Sequence, residues 1–171
     1  ASFALSPDGR QVVYLASGEG GSHLWLRSLA ETTATPLAGT GGGRLPFWSP
    51  DGRSIGFFAG GQLRRLDLDG GAPQALAQAT NGSGGSWNRD GTIVFAPTTT
   101  RGLMRVSATG GEAVVVIAAA PSTMRALPHF LPDGNVVGLA SRSTSQRAAG
   151  NGAAAQGSDW MLLLPSRGAL F

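Results

Sequence analysis

Cysteine is absent from these 171 residues, which excludes disulfides and thiolate metal sites and leaves the redox compartment open. Lysine is absent as well: all thirteen basic residues are arginine, a bias that fits a GC-rich genome. Against ten acidic residues the formal net charge is only +3, and no basic cluster is longer than Arg64-Arg65. A nucleic-acid partner is therefore not expected. Histidine is nearly missing, with His23 and His129 far apart and no acidic cluster beside either. A histidine-based nucleophile or metal site would need both to converge, so no catalytic residue and no metal ligand is assigned. Phosphate loops, dinucleotide glycine patterns and a Gly-x-Ser-x-Gly elbow are absent, and no cofactor is expected. No apolar run reaches the length of a membrane span or a signal-peptide core, so this segment is not expected to insert into a membrane. Helical periodicity is weak throughout.

What the chain has in quantity is glycine (27) and proline (10) within a sequence that is 42% apolar. That mixture suits many short strands joined by tight turns. One signature recurs as Ser6-Pro7-Asp8-Gly9, Ser49-Pro50-Asp51-Gly52, Asn88-Arg89-Asp90-Gly91 and Leu131-Pro132-Asp133-Gly134, with the aspartates 43, 39 and 43 residues apart. A period of roughly 40 is the length of one four-stranded propeller blade. Three residues before each aspartate stands Leu5, Trp48, Trp87 or Phe130. After each glycine comes a β-branched and aromatic run, such as Ile55-Gly56-Phe57-Phe58. Proline presets the turn, aspartate bonds the local backbone and glycine supplies the left-handed residue that starts the return strand. Asp8, Gly9, Asp51, Gly52, Asp90, Gly91, Asp133 and Gly134 are accordingly read as structural turn residues.

The pattern predicts an all-β fold, a β-propeller fragment of three full four-stranded blades and the start of a fourth. The blades fall at about 1–38, 45–78, 84–118 and 127–140. In the first, strands at 3–6, 10–16, 22–29 and 33–38 are expected, with a flexible loop at 17–21. Leu24, Leu63 and Leu103 share one position of the third strand. The glycine runs 39–43 and 82–85 read as flexible connections between blades. Beyond residue 140 the repeat fades into a polar Arg, Ala, Gly and Ser mixture. Residues 141–171 are expected to be largely disordered, or read in a shifted frame, with Trp160 to Leu164 as one apolar segment available as a stray strand.

The Trp-Ser-Pro-Asp-Gly-Arg turn, the strand after it and Leu66-Asp67-Leu68-Asp69-Gly70-Gly71 resemble the Pro-Asp-Gly propeller repeats of TolB-like proteins. More narrowly, the segments 47–58 and 85–91 are similar to propellers fused to bacterial serine/threonine kinases and winged-helix regulators. The resemblance covers about residues 1 to 140. It implies a non-catalytic platform for a protein or peptide partner; the alternative is the propeller of a prolyl-oligopeptidase-like peptidase whose catalytic domain lies elsewhere. It favours a periplasmic or extracytoplasmic place, with the cytoplasm left open. Rings hold roughly four to eight blades, so the remaining blades are expected in the full-length chain.

Blade topology predicts where recognition sits. The aspartyl-glycine turns occupy one face, and the connections between blades gather on the other as 40–44, 80–85 and 122–125, with His129 close behind on an inner strand. Loops on a rigid scaffold are the usual recognition elements. Arg44 and Arg125 are the candidates for a carboxylate or acidic-peptide contact, since a guanidinium bonds two oxygens at once. Arg44, Arg125 and His129 are thus the partner-binding candidates.

Overall fold

Each aspartyl-glycine turn closes an antiparallel pair through bonds that its own side chains supply. In the first turn the Ser6 hydroxyl donates to Asp8 Oδ1 at 2.5 Å, the Arg10 amide donates to the same oxygen at 3.0 Å, and the Gln11 amide donates to Ser6 Oγ at 2.9 Å. The second turn repeats this with Ser49, Asp51, Arg53 and Ser54 at 2.6, 3.0 and 2.9 Å. Gly9, Gly52 and Gly91 sit at φ of +69°, +70° and +83°, where a β-carbon would be strained. The third turn is one residue shorter. The Asn88 amide reaches Thr92 O, whereas the Ser49 amide reaches Ser54 O. Asp90 still accepts from the Thr92 amide at 3.0 Å. The donors set the charge state of these carboxylates. Asp8 is held below the ordinary carboxylate range first by the Ser6 hydroxyl and then by the Arg10 amide, and Asp51 likewise by Ser49 and Arg53.

The computed structural model describes residues 2–18, 21–118, 123–131, 135–142 and 160–163. Among them the fold is all β. The first blade orders β1 (Phe3–Leu5), β2 (Gln11–Gly18), β3 (Gly21–Ser28) and β4 (Thr35–Pro36) as a simple meander. The second holds β5 (Arg44–Trp48), β6 (Ser54–Ala59), β7 (Gln62–Asp67) and β8 (Gln74–Gln78). The third holds β9 (Gly85–Trp87), β10 (Thr92–Phe95), β11 (Leu103–Ser107) and β12 (Val114–Ile117). A fourth sheet pairs β13 (Thr123–Phe130), β14 (Val136–Arg142) and β15 (Trp160–Leu163), all antiparallel.

Strand alternation gives every blade two apolar faces, and the core is what neighbouring blades bury between them. Trp48, Ile55 and Phe57 of blade two pack against Val13 and Leu24 of blade one. The opposite face, Phe47, Phe58 and Leu63, packs against Ile93 and Phe95 of blade three. Val94, Ala96 and Leu103 then meet Val136 of the fourth sheet. Leu24, Leu63 and Leu103 are all essentially inaccessible. Each such side chain contributes roughly 1.5–3 kcal/mol by leaving water.

Volume is shared between the first two strands of each blade. The register pairs Ala4 with Val13, Ser86 with Val94, and Phe47 with Gly56. A β-carbon on Gly56 would lie 2.2 Å from the Phe47 ring, and one on Gly85 of blade three 2.7 Å from it. The blade with the large side chain on its inner strand therefore has none opposite it.

Three expectations shift. The loop expected at 17–21 is shorter, because β2 runs to Gly18 and β3 starts at Gly21. The glycine connections are packed in part: Gly39, Gly41 and Gly42 are exposed, but Gly43, Gly82 and Gly84 are buried, and a β-carbon on Gly82 would sit 2.1 Å from the Phe58 ring. Residues 123–125, expected in a connection, belong to β13, since their backbone pairs with 140–142. Trp160–Leu163, the apolar segment available as a stray strand, is the third strand of the last sheet and pairs with Val136–Leu139. Asp133 and Gly134, and most of the 141–171 tail, lie outside the described residues.

Candidate binding site at the mouth of the inner strands

The first strand of each blade is the innermost, and β1, β5, β9 and β13 lie side by side. The starting ends of β5 and β13 are distorted in the same way. The β5–β6 register shifts between Arg44 and Phe47, and the β13–β14 register shifts between Ala126 and His129. At these bulges Leu45 and Leu127 adopt φ of 49° and 51°, the two positive-φ non-glycine residues described. Both stand three residues before the repeat's aromatic position, where blade three has Gly84 at φ 115°. The strained amides tie each blade to the one before: Leu45 N donates to Ser2 Oγ at 2.8 Å, and Leu127 N to Ser83 O at 2.7 Å. A left-handed leucine costs about 1–2 kcal/mol, a cost glycine avoids.

Around these residues opens a cavity of about 400 Å³, lined by Ser2, Phe3, Leu45, Pro46, Gly84, Gly85, Leu127, Pro128 and His129. Phe3 is 65% and Leu127 52% exposed, so the rim is apolar and open to solvent. Ser2 and His129 are its polar side chains.

The partner-binding candidates fall unevenly around this mouth. His129 lines it and is exposed. Arg44 precedes Leu45 at the start of β5 and donates from Nη2 to Asn81 Oδ1 at 3.3 Å, bridging two inter-blade connections. Arg125 lies on β13 in register with Ala140, two residues before Leu127. The turn aspartates Asp8, Asp51 and Asp90 are at the opposite ends of the inner strands. Among the described residues, no three His, Asp or Glu side chains gather closely enough to hold a metal ion. No helix of the described residues is long and apolar enough to cross a membrane.

Sequence reasoning named Arg44, Arg125 and His129; His129 lines the cavity, and Leu45, Leu127 and Phe3, which line it too, were not named. A signal was present. Leu45-Pro46 and Leu127-Pro128 recur at one repeat position, and proline keeps the residue before it out of the right-handed helical region. Thr40 was also missed. It is fully buried, donates to Leu37 O at 2.6 Å and accepts from the Leu24 amide at 3.0 Å, which pins the first inter-blade connection.

No protein-family model matches this sequence, and no curated protein matches it. Solved structures do. A TolB-designated protein from Agrobacterium tumefaciens aligns with a TM-score of 0.70 at 21% identity, over 84% of this chain and 55% of that one. TolB from Acinetobacter baumannii aligns at 0.68 and 18% identity, over 85% and 38%. Virginiamycin B lyase from Staphylococcus aureus aligns at 0.61 and 15%, over 84% and 51%. The chain thus spans about half the length of these structures or less. Inter-blade packing, meander order and these likenesses together give the chain the fold of a TolB-like β-propeller segment.

Proposed function

We propose that the chain is a non-catalytic binding platform that holds a protein or peptide partner at the mouth of its inner strands. The observation that carries this reading is the exposed left-handed leucine, Leu127. Glycine there would remove the strain, as Gly84 does in blade three; Leu45 packs against the core between blades two and three, whereas Leu127 is 52% exposed, so its side chain is the one left for a partner. An apolar rim anchors a partner side chain, and Arg44 and His129 supply hydrogen bonds that orient it. The repeat pattern supports placing this platform as the interaction domain of a bacterial kinase or regulator.

The test is a peptide display selection on the immobilised chain. Selected peptides are then measured against Leu127→Glu, Phe3→Ser and Arg44→Ala. Loss of affinity of tenfold or more in the first two is expected. Peptides that bind all three variants like the parent would refute the site.

A further inference from the structure

At the other end of the inner strands, the boundaries between blades are built differently from one another. Between blades one and two, Leu26 and Leu68 pack around Trp48 and close the boundary. The register makes Arg65 of blade two the counterpart of Leu26, since Val13 pairs with Leu26 and Gly56 with Arg65. Ala108 is the counterpart of Leu68: their amides make the same bond to the turn, to Gly91 O and Arg53 O. Between blades two and three, therefore, an arginine and an alanine surround Trp87 where two leucines would fill the space. The result is a crevice of about 430 Å³. That volume falls within the roughly 300–1,000 Å³ of small-molecule sites.

The chemistry of the crevice is polar and balanced. The Arg65 guanidinium lies 5.6 Å from the centroid of the Trp87 ring. Its Nε and Nη2 donate to Asp67 Oδ1 at 2.8 and 2.7 Å, and Nη1 donates to Ala108 O at 3.1 Å. Of five N–H bonds these contacts use three. Asp67, which also accepts from Ser54 at 2.5 Å, pairs with Arg65 from outside the lining, while Asp51, Asn88 and Arg89 stand on it. With Arg65 neutralised by Asp67, the lining is left with one charge of each sign, Arg89 and Asp51. An anion or a cation would meet as much repulsion as attraction there. A neutral ligand whose hydroxyls both donate and accept meets neither, and an indole beside fixed donors and acceptors gives such a ligand an apolar surface to lie on.

We propose that this crevice is a binding site for a neutral sugar, held against Trp87 by hydrogen bonds that the Arg65 and Asn88 side chains donate and the Asp51 carboxylate accepts. It stands at the opposite end of the inner strands from the leucine mouth and does not depend on the reading given to that mouth.

The experiment is saturation-transfer NMR on the intact chain, with the methyl glycosides of glucose, galactose, mannose and N-acetylglucosamine as probes. Glucuronate and glucosamine serve as charged controls. Transfer to at least one neutral glycoside is expected, above either control. Ala108→Leu restores the side chain that closes the neighbouring boundary, so it should keep the unfolding midpoint and weaken binding at least tenfold. If Ala108→Leu loses its cooperative unfolding, Ala108→Val tests the same filling and should weaken binding by a smaller factor. Leu127→Glu should leave the sugar signal unchanged. No transfer to any neutral glycoside, preference for a charged control, or parent-like binding by a folded filled variant would each overturn the proposal.

Discussion

Exchange of the Phe47–Gly56 pair for the pair that blade one uses is a direct test of how the blades are packed. Phe47 is 8% exposed and lies between Gly56 on β6 and Gly85 on β9. Valine at 56 alone would drive its first carbon to 2.2 Å from a Phe47 ring carbon. Both neighbouring walls belong to packed strands, so Gly56→Val should cost the upper part of the overpacking range, about 3 kcal/mol. Phe47→Ala alone opens a cavity and should cost about 3–5 kcal/mol. Added together, the two would consume about 6–8 kcal/mol, a large share of the roughly 5–15 kcal/mol that a domain has. Yet the double variant reproduces Ala4 opposite Val13, a pair the same fold already accommodates. Its loss should stay below about 3 kcal/mol, which makes the coupling between the two sites at least about 3 kcal/mol. Urea unfolding of parent, singles and double, with a common m-value, measures this cycle. Additivity within about 0.5 kcal/mol would show that the two residues do not share one space, and the account of inter-blade volume would be wrong.

Other perturbations follow from the same geometry. Leu127→Gly relieves a left-handed leucine that is 52% exposed and should hold or raise stability by up to about 1–2 kcal/mol while it weakens any partner held at the mouth; a large fall in midpoint would refute the strain argument. Gly102→Ala places a β-carbon 1.6 Å from the Ile117 carbonyl oxygen, which is backbone and cannot swing aside, so the variant should lose cooperative unfolding or soluble expression. Acid should act through the turns. Asp8, Asp51 and Asp67 are all held below the ordinary range, each mainly by a serine hydroxyl. A lowered folded value means stability is fully present above the unfolded value of about 3.9 and is lost as pH falls through the folded one. Midpoints measured from pH 7 downward should stay flat to about pH 4.5 on this count and then fall. A decline starting near pH 6 would point to another group. Asp51→Ala removes the acceptor for Ser49 and the Arg53 amide and should cost about 0.5–2 kcal/mol, the range for losing a comparable side-chain cap; an unchanged urea midpoint would refute that.

Much of the architecture is legible in the amino-acid sequence, and the legible parts share a cause. Turn chemistry is local: Ser49, Asp51 and Gly52 make their bonds within six residues, so the residue types alone announce the hairpin. Period-two burial is nearly as local, which is why Leu24, Leu63 and Leu103 could be placed on one strand position. The glycine connections misled because flexibility is what glycine permits in isolation. Gly82 exists for another reason, the Phe58 ring standing where its β-carbon would be. Arg125 was put in a connection because the turn signal before β13 is weak, whereas pairing with β14 decides its place.

By itself, then, the amino-acid order determined the repeat, the strands and the turns, since each rests on interactions between residues close in the chain. The sites were decided elsewhere. The leucine mouth needs four inner strands, from Ser2 to His129, brought side by side. The polar crevice exists because Arg65 and Ala108, forty-three residues apart, meet across one blade boundary. Contacts between distant segments depend on how whole sheets stack, and no short stretch of sequence carries that information.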